Sequence, residues 1–212
     1  MEKIIYIIIL ILLENDFYNN INIIDDTNSY DFIVNKNNKL NSNYIPQDLE
    51  IIDLNYSCKD KYLRKEAKIA FENMAKSAKV DGYNIIAVST YRSYEYQLKL
   101  YNNYVINKGK YYADMASARA GHSEHQTGLA VDVADLSLDY DNFEKTKEFS
   151  WMINNAHKFG FILRYPKASF HITGFKYEPW HYRYVGVDVA TYIYENNLTL
   201  EEYKKSDTNL SL

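Results

Sequence analysis

The sequence predicts an α+β fold in which a central, mostly antiparallel sheet is flanked by helices. Helical patterns lie early and late in the 212-residue chain, and short apolar runs typical of strands are scattered between them. That order differs from the regular strand–helix alternation of parallel α/β sheets. The chain also contains no Gly-x-Gly-x-x-Gly motif and no P-loop, so nothing indicates a nucleotide-binding domain.

The first half of the folded body is predicted to contain three helices and one strand. Apolar side chains recur at helical spacing in the first helix, whereas the strand is a short continuous apolar run. Ser93 is a suitable N-cap for the second helix, and Gly109 is suited to end it. In chain order, these elements are a helix over 63–79, a strand over 84–89, a helix from 93 to about 107 and a short helix over 112–118.

The second half is predicted to alternate between short strands and helices. Gly160 is placed to end the first of these helices, and Thr199 with Glu202 fits a capping box at the start of the last one. In chain order, the predicted elements are a loop over 121–128, a strand over 129–133, a helix over 146–158, strands over 161–163 and 180–184, and terminal helices over 187–195 and 199–205.

The first thirty residues are predicted to lie outside the folded body. Lys3 precedes an unbroken apolar run over 4–13, which resembles a short secretory signal. The run is short for a helix that spans a bilayer, and no small-x-small cleavage site follows it. Residues 1–13 are therefore predicted to be a signal-like leader or membrane anchor of an exported protein. Residues 14–30 are predicted to form a polar tether, and 31–212 a single folded domain.

Charge and cysteine content exclude several kinds of function. The chain has a net charge of −4 and no long basic run, which argues against nucleic acid as a partner. Its single cysteine, Cys58, cannot form an internal disulfide, and no Cys-x-x-Cys pair is present for a structural zinc site. The chemistry of the protein is therefore expected to come from other residue types.

Two short segments contain the residues of a catalytic metal site. His125 lies in the predicted loop and Asp132 in the strand that follows it, whereas Glu178 and His181 lie close together much later in the chain. Two imidazoles and one carboxylate can hold a catalytic zinc ion that keeps a fourth position open for water. The remaining carboxylate, Glu178, is suited to act as general base. If the two segments meet in space, the sequence predicts a zinc hydrolase.

Each of these residues also has an ordinary structural interpretation. A lone histidine is usually a core or surface residue, and His122, His157 and His171 are interpreted in that way. Four suitable residues in two compact motifs nevertheless favour the metal site. Arg92 follows a predicted strand and precedes a helix, where it is suited to bind a carboxylate or to stabilise an oxyanion. A surface salt bridge explains Arg92 equally well.

Longer motifs surround these residues and resemble a known enzyme family. The pattern Ser-x-His-x-x-Gly-x-Ala-x-Asp matches residues 123–132, Glu-x-Trp-His matches 178–181, and Tyr-Arg-Ser-Tyr-x-x-Gln matches 91–97. These patterns resemble the VanY-type D-alanyl-D-alanine carboxypeptidases, zinc peptidases that share the hedgehog and D-Ala-D-Ala peptidase fold. The resemblance extends over roughly residues 31–205. Thr90 and Ala120 depart from the Gly and Pro that the family usually has at these positions.

The resemblance implies a role for each candidate residue. It makes the two histidines and the aspartate described above the ligands of a Zn²⁺ ion, and it makes Glu178 the catalytic base. Arg92 is then expected to stabilise the bound substrate or the transition state. Ser123 and Gln97 resemble positions that contact substrate.

The predicted function is a zinc-dependent D-Ala-D-Ala carboxypeptidase that removes the C-terminal D-alanine from peptidoglycan stem peptides. Its expected partners are stem peptides that end in D-Ala, at the extracytoplasmic face of the cell membrane or in the cell wall. One alternative is an L,D-carboxypeptidase that acts on tetrapeptide stems. A second is a non-catalytic wall-binding module with structural zinc, against which the presence of Glu178 argues. A third, an intracellular phage-type endopeptidase, is disfavoured by the leader.

Overall fold

The computed structural model of the protein describes residues 17–210, with side chains up to residue 206. Four short strands come first and form two separate two-stranded sheets. The first pair is parallel and the second is antiparallel. These strands are β1 (Asn22–Ile23), β2 (Asn38–Lys39), β3 (Leu49–Ile51) and β4 (Tyr62–Arg64). They were not predicted from the sequence, because two or three residues are too few to show an alternating pattern.

A four-stranded antiparallel sheet lies at the centre of the fold, as the sequence predicts. Its four strands are β5 (Ile86–Ser89), β6 (Ala130–Ala134), β7 (Phe161–Leu163) and β8 (His181–Tyr184). Their order in the sheet is β5-β6-β8-β7, so β6 and β8, which are far apart in the sequence, are hydrogen-bonded neighbours. This arrangement places the two predicted site motifs side by side.

The described part of the chain contains seven α-helices, and the predicted caps are present. The Ser93 side chain accepts a hydrogen bond from the Tyr96 backbone N–H, and Thr199 and Glu202 form a capping box. The helices are α1 (Lys65–Val80), α2 (Tyr94–Lys108), α3 (Lys110–Ala116), α4 (Lys147–Asn155), α5 (Phe170–Thr173), α6 (Val187–Asn196) and α7 (Leu200–Leu210). Three 3₁₀ helices cover Glu124–Thr127, Tyr140–Lys145 and Ala156–Phe159.

Two of these 3₁₀ helices differ from the prediction. Residues 121–128 were predicted as loop, but the middle of this segment forms a helical turn. The predicted helix over 146–158 is α-helical only to Asn155 and then tightens into a 3₁₀ turn. The tighter turn brings the chain to Gly160, whose φ of 81° is left-handed and favours glycine.

The two faces of the central sheet have different roles. One face carries buried apolar side chains that pack against the buried side of α1, and each fully buried large side chain contributes about 1.5–3 kcal/mol of transfer free energy. The core side chains include Val131, Val133, Phe161, Tyr182 and Tyr184 from the sheet and Ala67, Phe71, Met74, Ala75 and Ala78 from α1. Because side chains alternate along a strand, Asp132 and His181 lie on the opposite face.

The described residues before position 31 contact the folded body. β1 pairs with β2, and the ring of Tyr18 lies 3.8 Å from the guanidinium carbon of Arg119 and edge-on to His122. The polar tether over 14–30 stays a prediction, although in the described part, residues 17–30, the rings of Phe17 and Tyr18 contact the folded body. Isolated aromatic residues of this kind lack a periodic pattern, so the sequence does not reveal such contacts.

The apolar run over 4–13, predicted as a leader or membrane anchor, lies outside the described residues. Over residues 17–210, no helix combines the length and the apolar character that crossing a bilayer requires.

Candidate metal centre and active-site cleft

Asp132 and His181 are brought together by the pairing of two strands. Asp132 on β6 is directly opposite His181 on β8, so both side chains project from the same face of the sheet. His181 Nδ1 lies 2.9 Å from Asp132 Oδ1, and both side chains are almost fully buried. Two segments that are 49 residues apart in sequence therefore contribute adjacent donor atoms.

His125 reaches the same point from the 3₁₀ turn that precedes β6. Its Nε2 lies 3.2 Å from Asp132 Oδ2, while its Nδ1–H donates a 2.7 Å hydrogen bond to the backbone carbonyl of Thr90. That bond fixes the tautomer and leaves the Nε2 lone pair facing the aspartate. The turn returns to the strand through Gly128, which has a left-handed φ of 68°. The structure thus brings together the three predicted metal ligands, with one donor atom of each within 4.8 Å of the others.

The protonation of the three ligands is set by burial and by their mutual contacts. Burial and the nearby Arg92 charge lower the pKa of His125 to about 4, so its imidazole is neutral. Burial alone would lower the pKa of His181, but hydrogen bonds to Asp132 and Glu124 outweigh it and raise the pKa to about 9. Burial would raise the pKa of Asp132, yet both histidines hold it well below its ordinary range. A metal cation therefore has to displace a proton from His181.

Glu124 completes the surroundings of His181, and sequence reasoning missed it. Its Oε2 lies 3.3 Å from His181 Nε2, so the imidazole is held between two carboxylates. Its Oε1 accepts hydrogen bonds from Arg164 Nε at 2.7 Å and from Arg183 Nη1 at 2.9 Å. Glu124 is 1% exposed and both arginines are 0% exposed. This buried carboxylate orients the ligand His181 in the way that outer partners commonly orient metal-bound histidines.

The charges around Glu124 explain why its buried carboxyl group is ionised. Burial alone would raise the pKa of Glu124, but Arg164 and Arg183 hold it well below its ordinary value. A sequence signal for this role does exist. Arg164 directly follows β7 and Arg183 lies within β8, so both arginines lie beside strand residues and need a buried counter-ion, and Glu124 adjoins the predicted ligand His125.

Glu178 lies in the same cleft as the three ligands. Its backbone N–H donates to the Tyr165 carbonyl, and its own carbonyl accepts from the His181 N–H at 3.2 Å, so the chain turns sharply through Pro179. Burial raises the pKa of the Glu178 carboxyl to about 7, and the Asp132 charge adds to this effect. A carboxyl group with such a pKa is suited to exchange protons near neutral pH.

Arg92 lines the same cleft. Its Nη1 donates to Ser89 Oγ at 3.3 Å, and its backbone N–H donates to the His125 carbonyl. Among the described residues, the buried Arg92 Nε atom has no hydrogen-bond partner. A surface salt bridge does not explain a guanidinium in this position, whereas an anionic group in the cleft would satisfy the free donor.

Ser123 and Gln97 have different positions relative to the cleft. Ser123 lines it next to His125. Gln97 is 1% exposed and does not line it; instead its Nε2 donates to Ser117 Oγ at 3.2 Å and to the Ala118 carbonyl at 2.7 Å. The Nε2 group of Gln97 thus holds the segment that contains Ser117 and Ala118, its Oε1 atom has no partner among the described residues, and its contact with substrate stays a prediction.

The other histidines lie away from the metal centre. His122 is buried and its Nδ1–H donates to the Asn35 carbonyl, His157 stacks on Tyr194, and His171 is exposed. None of the three lines the cleft.

The cleft that contains the metal centre has a volume of about 430 Å³ and is lined mostly by polar and aromatic side chains. Two imidazole nitrogens and a carboxylate oxygen form a donor set suited to catalytic zinc, which uses three protein ligands and leaves a position for water. The residues present therefore fit a Zn²⁺ ion.

Comparison with known proteins agrees with this geometry. The profile of the family described as "VanY: D-alanyl-D-alanine carboxypeptidase" matches residues 60–187. The chain is 43% identical over 204 residues to the putative carboxypeptidase YodJ of Bacillus subtilis (strain 168), covering 90% of this chain and 75% of that protein.

Two solved structures give the same result. One is the LdcB LD-carboxypeptidase, whose structure reveals the molecular basis of peptidoglycan recognition. It is 43% identical to this chain with a TM-score of 0.82, and the match covers 88% of this chain and 91% of that one. The vancomycin-resistance D,D-pentapeptidase VanY, in complex with Zn(II), is 32% identical with a TM-score of 0.71, over 82% of this chain and 98% of that one. Fold, site and family profile coincide, and the chain belongs to the VanY family of D-alanyl-D-alanine carboxypeptidases.

Proposed function

We propose that this protein is a zinc-dependent carboxypeptidase that removes the C-terminal D-alanine from peptidoglycan stem peptides. The observation that carries the proposal is that one cleft contains all the groups this reaction needs. It holds three metal-donor atoms within 4.8 Å of one another, together with a carboxyl group whose pKa is about 7 and an arginine with an unpaired donor. Membership of the VanY family supports the D-alanine-ended substrate.

His125 Nε2, the Asp132 carboxylate and His181 Nδ1 are the atoms that would hold the ion. When bound, zinc supplies Lewis-acid polarisation of the scissile carbonyl and makes water more acidic. The outer partners, the Thr90 carbonyl and Glu124, keep the two imidazole rings oriented toward the centre.

Glu178 performs the proton transfers. Its carboxylate accepts a proton from the attacking water as the oxygen forms a bond to the carbonyl carbon. When the C–N bond breaks, the same proton passes from Glu178 to the nitrogen of the departing D-alanine. The hydroxyl group of the water thus ends on the shortened peptide and its proton on the released D-alanine, and Glu178 is again a carboxylate.

Arg92 positions the substrate. A carboxypeptidase needs a cation for the terminal carboxylate, and the Arg92 guanidinium is the cleft side chain best suited to form a bidentate pair with it. This contact would exclude internal peptide bonds, because they lack the charged end.

A second candidate function is the L,D reaction, in which D-alanine is removed from a tetrapeptide stem. The observation that favours it is the higher similarity to LdcB, with 43% identity and a TM-score of 0.82, than to VanY, with 32% and 0.71. Both reactions use the same catalytic groups and differ in the residue before the cut. A non-catalytic wall-binding module is disfavoured because it has no use for a half-buried carboxyl group such as Glu178 beside the metal ligands.

We also propose that the protein acts outside the cytoplasm, since its substrate is located there and the run over 4–13 resembles a secretory leader. Fractionation of cells that express the full chain tests this. Recovery of the protein with the membrane, wall or medium supports export, and recovery with the cytoplasmic fraction contradicts it.

The decisive experiment is mass spectrometry of products from purified protein incubated with zinc and either pentapeptide or tetrapeptide stems. Loss of one alanine is expected with the parent protein and not with Glu178→Ala, while metal analysis should show that both proteins retain zinc. A chelator should abolish the reaction, and added zinc should restore it. If no stem loses alanine, or if Glu178→Ala is as active as the parent, the proposal is wrong.

A further inference from the structure

A second cavity lies beside β7, which is an edge strand of the central sheet. It has a volume of about 350 Å³ and shares no lining residue with the active-site cleft. This size lies near the lower end of the range of about 300–1,000 Å³ that is typical of small-molecule pockets. Its lining is mostly apolar and includes Met152, Ile153, Phe161, Leu163, Ile172 and Ile193. A cavity of this kind suits a compact apolar molecule.

A buried hydroxyl group in this lining has no hydrogen-bond partner. Tyr182 on β8 is 0% exposed and lines the cavity, and among the described residues nothing forms a hydrogen bond with its hydroxyl. Tyr184 on the same strand differs, because its hydroxyl donates to Glu66 Oε1 at 2.8 Å. A buried polar group normally has a partner, since burial removes the hydrogen bonds that it forms with water. A polar atom of a molecule in the cavity would supply the bond that Tyr182 lacks.

His157 contributes a second polar atom of this kind. Its Nδ1 is buried and has no partner in the part of the chain that the structure describes. The imidazole ring is held in place by stacking on Tyr194, with ring centroids 3.8 Å apart and 7° between the planes. Burial lowers the pKa of His157, so the ring is neutral near pH 7 and its Nδ1 can either donate or accept. Two residues with unsatisfied buried polar atoms therefore line the same cavity.

The charged side chains of the lining indicate that the ligand is neutral. They are Lys167 and Glu202. Lys167 forms an ion pair with Glu144, and Glu202 accepts hydrogen bonds from the backbone N–H and the hydroxyl of Thr199, both at 2.8 Å. Within the described lining, no unpaired charge is left to compensate a charge on a ligand. Because burial of an uncompensated charge among apolar side chains is costly, a charged molecule would be excluded.

We propose that this cavity is a binding site for a neutral small molecule with a compact apolar body and one hydroxyl or carbonyl oxygen. The Tyr182 hydroxyl forms the hydrogen bond to that oxygen, and His157 Nδ1 offers a second polar contact. The apolar body lies against the methyl-bearing side chains of α4 and β7. The site is separate from the metal centre, so it goes beyond the proposed function and does not depend on it.

The test uses p-cresol and toluene, two probes that share a methylated ring and differ in one hydroxyl group. Each probe is titrated into the full chain, and binding is followed by NMR of the methyl groups of Met152, Ile153 and Ile172. In the parent protein, p-cresol should shift these signals with a Kd on the order of 1 mM, as expected for so small a ligand. Tyr182→Phe should weaken p-cresol binding about tenfold and leave toluene binding unchanged, because only the hydroxyl contact is lost.

Tyr184→Phe is the matched control, because it removes a hydroxyl from the same strand at a position that does not line the cavity. It should bind both probes as the parent does. Retained toluene binding in Tyr182→Phe shows that the cavity is intact in that variant. Ile172→Trp, which fills the cavity, should block both probes. The proposal is overturned if neither probe shifts these methyl signals in the parent protein, or if Tyr182→Phe binds p-cresol as tightly as the parent.

Discussion

His181 and Glu124 are joined by a 3.3 Å contact between Nε2 of the imidazole and Oε2 of the carboxylate. Through this contact, the candidate metal centre is continuous with a buried network of alternating charges. Arg164 connects Glu124 to Glu201, with both Glu201 oxygens accepting from its Nη atoms at 2.7–2.8 Å. Arg183 also donates to the Tyr30 and Phe32 carbonyls. The orientation of a metal ligand and the stability of the core therefore depend on the same carboxylate.

Replacement of Glu124 by Gln should reduce both stability and zinc affinity. The variant keeps the size of the side chain but leaves Arg183 without its buried counter-ion, which is expected to cost about 3–5 kcal/mol in the free energy of unfolding. Loss of the partner of His181 should also weaken zinc binding about 10- to 100-fold. Denaturant titration measures the first effect, and competition with a chromophoric chelator measures the second.

Glu201→Gln is a matched control for this variant. Glu201 is also buried and pairs with Arg164, yet it makes no contact with His181. This variant should lose stability while keeping the zinc affinity of the parent protein. Equal loss of zinc affinity in the two variants would show that Glu124 acts only through general destabilisation.

The raised pKa of Glu178 predicts that this residue lowers the stability of the metal-free protein at neutral and alkaline pH. Its pKa is about 7 in the folded protein and about 4.5 in an unfolded chain. Between these values the unfolded chain has already released the proton that the folded protein retains, so this group makes stability fall as pH rises. Glu178→Gln removes this dependence.

With a chelator present, Glu178→Gln should therefore gain stability relative to the parent as pH rises from 5 to 8. The expected gain is on the order of 2 kcal/mol, from a shift of between two and three pKa units, discounted for partial exposure. Thermal unfolding of both proteins at matched pH values measures it. A difference in melting temperature that stays constant across this range would contradict the assigned pKa.

Much of the site was predictable because its chemistry is concentrated in two short motifs. His125, Asp132 and His181 all come from these motifs, and the structure brings them together across β6 and β8. Glu124 was missed because a glutamate beside a helical turn usually faces solvent, and only the tertiary fold brings two buried arginines to it. The motif did not show that Gln97 lies behind the residues that line the cleft, because a motif position does not reveal which way a side chain faces.

The N-terminal segment shows a similar limit. An Asn- and Asp-rich sequence is typical of tethers, and the burial of single aromatic residues within it depends on contacts with residues about a hundred positions away. Patterns of local hydrophobicity do not contain that information. By contrast, α2 and α7 were predicted well, because caps and helical spacing are local features.

Gly128 is predicted to be essential for the turn between His125 and β6. A Cβ atom at this position would lie 2.9 Å from Leu49 Cδ2 and 3.1 Å from Arg64 Cγ, and the φ of 68° is already unfavourable for other residues. Gly128→Ala should therefore cost more than the 1–2 kcal/mol of left-handed strain alone, roughly 3 kcal/mol in total. Because the turn positions His125, zinc affinity should also decrease. Denaturant and chelator titrations measure the two effects.

Gly82→Ala is a control that separates the cost of backbone strain from the cost of steric overlap in Gly128→Ala. Gly82 has a comparable φ of 88°, but a Cβ atom there would meet no other atom within 4 Å. Its substitution should cost only the backbone strain and should leave zinc binding unchanged. If the two variants lose the same stability, the packing of Gly128 against Leu49 and Arg64 has no energetic consequence.

Tyr18 is predicted to stabilise the cleft wall from outside. Its hydroxyl accepts a hydrogen bond from the Arg119 N–H at 3.3 Å, and its ring contacts the Arg119 guanidinium and the edge of His122. Arg119 in turn forms a two-point ion pair with Asp114 at the end of α3, just before the wall residues Ser117 and Ala118. Movement of Tyr18 would therefore be transmitted to the wall through Arg119.

Tyr18→Ala should lower the free energy of unfolding by about 2 kcal/mol, since a partly buried aromatic ring and its cation–π contact are lost. Asp25→Ala, in an exposed part of the same segment, should have no measurable effect. Thermal unfolding of the two variants distinguishes a docked segment from a tether. If the segment is a tether, both substitutions should leave stability unchanged. If it is docked, Tyr18→Ala should lower stability, because the ring contacts that are lost join residues far apart in the chain.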